Sequence, residues 1–93
     1  MLEKSIERKF RLAIKQLGGL AVKFLSPGNA GMPDRLVLLP GGQVSFVELK
    51  QPGKKPTELQ LAVHTRLRAL GFSVRVIDSV DAVDAYLKEL MLA

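Results

Sequence analysis

The chain has 93 residues, a formal net charge of +5 and 47% hydrophobic residues, which suits one small domain with a limited core. It contains no cysteine, so disulfides and thiolate zinc sites are excluded. The positive balance points to a polyanionic partner. The five aromatics all fall at apolar periodic positions, which reads as core rather than as platforms for stacked bases.

Residues 2–17 have helical periodicity. Leu2, Ile6, Phe10, Ala13, Ile14 and Leu17 share a face, while Lys4, Arg8, Arg11 and Lys15 form a basic stripe on another. Gly18-Gly19 stops this helix. Glu3 falls inside the apolar sector. Glu7 lies at the border of the apolar and basic faces, with Arg11 four residues on as an ordinary ion-pair partner. The stripe reads as a contact to a DNA backbone or as a solvated face. Residues 20–25 form a first strand. The loop 26–32, rich in Gly and Pro, lacks the Gly-Lys-Ser/Thr ending of a phosphate loop; it delivers Asp34. Residues 36–39 and 43–50 form strands two and three, turning about Pro40-Gly41-Gly42. Their continuous apolar character predicts burial on both faces, hence helices packed on the sheet.

Residues 51–56 form a basic loop. Its Lys54 and Lys55 are either solvated or in contact with phosphates. Thr57-Glu58-Leu59-Gln60 fits a capping box at the start of a second helix. Leu59, Val63, Leu67 and Leu70 are its expected core face, and Gly71 closes it as a left-handed cap. His64 stands alone as the only histidine, without a partner for a zinc site or a triad. Residues 72–77 make a fourth strand, reached by a right-handed crossover. Ser79 caps a final helix whose core face is Val80, Val83, Leu87, Leu90 and Met91. Tyr86 and Leu92 add apolar surface that meets either the sheet or a second subunit. No apolar run approaches membrane-spanning length, and the charged N-terminus lacks a signal-peptide core. A cytoplasmic setting is expected.

The chemistry concentrates at the end of strand three. Glu48 and Lys50 alternate onto one side of the strand, with Leu49 on the other. If strands two and three pair as a hairpin, Asp34 lies at its open end beside Glu48. Two acids and a lysine then converge. Carboxylates hold hard divalent cations, and a neighbouring lysine stabilises developing charge or positions water. For Glu-x-Lys alone, a surface ion pair on an edge strand is an adequate reading.

The wider pattern resembles a known signature. Gly31-Met32-Pro33-Asp34, then Phe46-Val47-Glu48-Leu49-Lys50, is similar to the PD-(D/E)XK nuclease motif. The continuation, from Gln51-Pro52-Gly53-Lys54-Lys55-Pro56-Thr57-Glu58-Leu59-Gln60 through a helix to Gly71-Phe72-Ser73-Val74-Arg75-Val76, looks like the VRR-NUC branch of that superfamily. The likeness runs from about residue 3 to about residue 80. It implies a single restriction-endonuclease-like α/β domain over residues 1–93, of order αβββαβα, with a mixed four-stranded sheet. It implies cleavage of DNA phosphodiesters with Mg²⁺ or Mn²⁺ held by Asp34, Glu48 and the Val47 carbonyl. Glu7, or less readily Glu3, takes the place of the family's fourth acid, directly or through water. Lys50 orients or activates the attacking water, and Gln60 helps hold it. Lys4, Arg8, Arg11, Lys54 and Lys55 are the expected DNA contacts. A domain this small selects its substrate by DNA shape and oligomeric geometry. A homodimer acting on branched DNA such as a four-way junction is the expectation. A flap or nicking nuclease of a phage replication system and a non-catalytic DNA-binding module are the alternatives.

Overall fold

The computed structural model describes residues 3–92, with Glu3 as backbone only. Leu2 and the side chain of Glu3 lie outside the described part. The elements follow in the expected order: α1 (Glu3–Gln16), β1 (Leu20–Lys23), β2 (Arg35–Leu39), β3 (Gln43–Leu49), α2 (Glu58–Ala69), β4 (Ser73–Ile77) and α3 (Val80–Leu92). The strands form one sheet in the order β1-β2-β3-β4. The first three are antiparallel neighbours and β4 lies parallel to β3. The single parallel pair follows from the α2 crossover, because a parallel connection needs a dozen or more residues.

β3 is the central strand, and its residues from Ser45 to Leu49 are all buried. Alternation divides them. Val47 and Leu49 enter the larger core with Ile6, Phe10 and Ile14 of α1 and Val83 of α3. Phe46 faces the other way and packs with Leu67 of α2 and Val74 of β4. Two helices thus cover one face of the sheet and one helix covers the other. Tyr86 belongs to the sheet: its ring lies 6.2 Å from that of Phe10, and its hydroxyl donates to Ser45 Oγ at 3.0 Å. Leu92 is exposed.

β1 is shorter than the apolar run 20–25. β2 begins only at Arg35, so β1 runs out of partners. The last link is the Phe24 N–H donating to the Asp34 carbonyl at 2.9 Å. The capping box of α2 is formed: Thr57 Oγ1 accepts from the Gln60 N–H, and Gln60 Oε1 accepts from the Thr57 N–H. At the other end Gly71 (φ +99°) closes the helix, with the Phe72 N–H returning to the Leu67 carbonyl at 3.1 Å. Ser79 caps α3 through the Ala82 N–H at 3.0 Å.

α2 departs from its expected core face. Leu67 is buried and Val63 is half-buried, but Leu59 and Leu70 are exposed. The other buried residue of the helix is His64. The helix is rotated so that a polar group, not a leucine, points inward where α2 passes the end of β3.

Gly31 sets how the loop before β2 meets α2. It has φ +89°, and a Cβ there would lie 3.0 Å from the Leu59 carbonyl oxygen and 3.0 Å from Val63 Cγ2. Gly31→Ala is expected to destabilise the fold by roughly 1–3 kcal/mol, because it adds both a disfavoured backbone angle and a steric contact. Urea unfolding of the two proteins measures the difference.

Candidate active site

The antiparallel register pairs Arg35 with Val47. One step further, Asp34 stands opposite Glu48. Here β2 has left the ladder, since Pro33 and the loop before it turn away. The Leu49 N–H, which faces β2, is taken instead by the Asp34 side chain, with Oδ1 accepting at 3.1 Å. Asp34 therefore ends the ladder in the plane of the sheet. The Lys50 N–H donates in the opposite direction, to the Ile77 carbonyl of β4 at 2.9 Å. A trans peptide points its C=O and N–H opposite ways, so the Leu49 carbonyl faces the Asp34 side. The Val47 carbonyl points the same way but two residues earlier, into its pairing with Arg35.

A line of polar side chains crosses this end of the sheet from one face to the other. On the α1 face, Glu7 pairs with Arg35. The Arg35 guanidinium also donates to the Asp34 carbonyl at 3.0 Å and lies 3.4 Å from Asp34 Oδ2. Asp34 bridges to β3. On the α2 face comes Glu48, almost wholly buried, with Oε1 3.9 Å from His64 Nε2. The structure thus sets Asp34 and Glu48 at opposing positions of neighbouring segments and puts Glu7 against Arg35, on the other face.

Lys50 lies on the Glu48 side of β3, half-buried, and is close enough for its charge to act on His64. Gln60 is one helical turn before His64, with its amide oxygen engaged in the cap. Lys54 and Lys55 are exposed in the loop that leaves the site. Arg11 and Lys23 border the depression holding Glu7 and Arg35. Arg8 lines a groove between α1 and α3. Lys4 is exposed on α1.

Sequence reasoning passed over two members of this line. Arg35 had a readable signal: it alternates with Val37 and Leu39 onto the α1 face, and a guanidinium on an apolar face needs an acid, which Glu7 supplies. His64 had a weaker one, its spacing of four residues from Gln60. Burial, and then the nearby charges of Arg68 and Lys50, push the His64 pKa below its ordinary value of 6.5. Glu48 Oε1 lies 3.9 Å from Nε2, beyond hydrogen-bonding reach.

A mixed sheet wrapped by helices in this order, with acids gathered where its two middle strands part, is the fold of the restriction-endonuclease-like nucleases. Relatives narrow the class. A solved structure described as "VRR_NUC domain" superimposes with a TM-score of 0.87 at 37% identity, over 92% of this chain and 94% of that one. A curated relative, "Putative nuclease p44" of Acyrthosiphon pisum secondary endosymbiont phage 1, is 54% identical over 79 residues, which is 85% of each chain. No family model matches the chain. The chain belongs to the VRR-NUC family of nucleases. No helix among the described residues is long and apolar enough to cross a membrane.

Nucleases of this fold generally use divalent metal ions, and the donors here suit a hard cation. Among the described residues no three His, Cys, Asp or Glu side chains converge on one point. Asp34 and Glu48 stand at opposing positions beside Leu49, whose carbonyl faces the Asp34 side, and Mg²⁺ is commonly held by only one or two carboxylates with water and phosphate completing its shell.

The depressed His64 pKa has a consequence for stability. Above pH 6.5 the ring is neutral in both the folded and unfolded chain and contributes nothing. Below it the unfolded chain binds a proton that the folded one refuses, so stability is lost as pH falls. Thermal melts at about pH 7.5 and about pH 5.5 should show a larger drop for the wild type than for His64→Leu.

Proposed function

We propose that this nuclease is a Mg²⁺- or Mn²⁺-dependent endonuclease that cuts branched DNA, such as four-way junctions, as a homodimer. What supports the catalytic part is the position of Asp34, bonded to the Leu49 N–H and opposite Glu48 in register, with Lys50 two residues on from Glu48. Asp34, Glu48 and a backbone carbonyl would hold the cation. The Leu49 carbonyl suits that place better than the Val47 carbonyl, which is committed to the β2–β3 ladder. The cation, when bound, neutralises phosphate charge and makes water a better nucleophile.

The residues around it do the rest. Lys50 places its ammonium beside the reacting phosphate and orients the attacking water. Gln60 keeps its amide N–H groups free of the cap and can hold that water. Glu7 acts on the cluster through Arg35 by fixing the guanidinium that abuts Asp34. Lys54, Lys55, Lys4, Arg8 and Arg11 supply sequence-independent phosphate contacts.

The dimer part rests on a second observation. Leu20, Leu38 and Val44 are cross-strand neighbours on the α2 face, and Phe72 falls beside Val44 because Ser45 pairs with Ser73. These four residues form an apolar row across all four strands, each 37–62% exposed. Such a row is on the order of 300–400 Å², the size of patch that commonly marks an interface. α2 leaves it uncovered. A second copy seated there would lie about 14 Å along the strands from Asp34 and Glu48, leaving both sites open to a two-fold symmetric junction.

Lys50→Ala is expected to lower Mn²⁺-supported cleavage of a labelled four-way junction by about 100-fold or more while junction binding persists. Cleavage at the wild-type rate excludes the catalytic assignment. Chelation of divalent ions should abolish cutting, and a panel of linear, flap, fork and four-way DNA reads the preference. Sedimentation of the wild type at micromolar concentration should give the mass of a dimer, and Val44→Glu that of a monomer. A monomeric wild type favours the flap-nuclease alternative.

A further inference from the structure

His64 is fully buried, and among the described residues neither ring nitrogen has a hydrogen-bond partner. A neutral imidazole carries one donor and one acceptor, and burying both unmet is unfavourable. Leucine at this position would fill a similar space on the α2 core face without that penalty. On the sheet, the Glu48 carboxylate stands close to the ring, with Oε1 3.9 Å from Nε2. This is roughly 1 Å beyond an N–H···O hydrogen bond, a gap that a small change in the glutamate side-chain torsions closes.

We propose that His64 is a positioning residue for Glu48: its Nε2–H donates to Oε1 and so turns Oε2 toward the cation. The inference rests on the reading of Glu48 as a metal ligand. The choice of histidine has a physical reason. Lys50 and Arg68 already bring two positive charges close to the ring, and Arg68 is anchored to the Val74 carbonyl at 2.8 Å. A third cation on Glu48 would compete with the metal for the carboxylate. An imidazole N–H supplies a directional donor to the carboxylate. Outer partners of this kind set both the orientation and the strength of a ligand.

Mn²⁺ binding without DNA, followed by the loss of the free-ion EPR signal, tests this together with thermal unfolding of the metal-free proteins. Wild type, Glu48→Ala, His64→Leu and His64→Gln form the set. Glu48→Ala should remove the site. His64→Leu should weaken Mn²⁺ affinity about 10-fold or more while leaving the metal-free Tm unchanged or raised. His64→Gln, which restores an N–H donor, should recover most of the affinity. Wild-type affinity in His64→Leu, with binding lost in Glu48→Ala, overturns the role of His64 alone. Equal binding by wild type and Glu48→Ala refutes the ligand reading, and the proposal falls with it. A lowered metal-free Tm in His64→Leu makes His64 a packing residue and equally overturns it.

Discussion

The hydrogen bond from the Leu49 N–H to the Asp34 carboxylate is the point on which the active end of this protein turns. β2 and β3 separate there, and a buried backbone donor without a partner would be costly. Pro33, itself buried, begins the departure of β2, and the next side chain substitutes for the missing strand. One carboxylate oxygen is thereby fixed against β3, directly across from Glu48. The other lies 3.4 Å from the Arg35 guanidinium. The loop behind it can reach this place because Gly31 allows the backbone to lie against α2 without a Cβ in the way.

Arg35 solves the problem of bringing acids together. Carboxylates repel when they share a site, and in the absence of a cation something must offset the charge. The guanidinium, only slightly exposed, contacts both Glu7 and Asp34. Its planar fork is suited to two acceptors at once. Glu48 is kept apart by the sheet itself, since it projects to the α2 face. The acids thus form a line through the sheet rather than a cage, with Glu48 on the α2 face and the Glu7–Arg35 ion pair on the other. An arginine inside such a line makes each neighbouring acid depend on the others, so substitutions at Glu7, Arg35 and Asp34 will not behave additively.

The second helix carries two duties that compete. It must bury apolar surface against Phe46 and Val74, and it must present polar groups to the end of β3. Leu67 and Val63 serve the first, while His64, 3.9 Å from Glu48, serves the second. The exposure of Leu59 and Leu70 follows from this rotation. The same lopsidedness, with one helix on this face against two on the other, leaves the row from Leu20 to Phe72 open.

Much of this was legible in the chain. Periods of 3.6 and 2, the Thr57 and Ser79 caps, the left-handed Gly71 and the short turn at 40–42 are local features, and local physics dictates all seven elements and their order. The motif around Asp34, Glu48 and Lys50 could be placed because a hairpin register follows from its turn. Two kinds of fact could not be read there. The orientation of α2 depended on which of several nearly equivalent faces met the sheet, and only packing against Phe46 and Val74 resolved it. Glu7, the partner of Arg35, lies 28 residues away, and Glu48, whose carboxylate comes to 3.9 Å from the His64 ring, lies 16 residues away from it. Electrostatic pairing over such separations is decided by the assembled fold, because no local rule connects residues that meet only when strands and helices have closed around them.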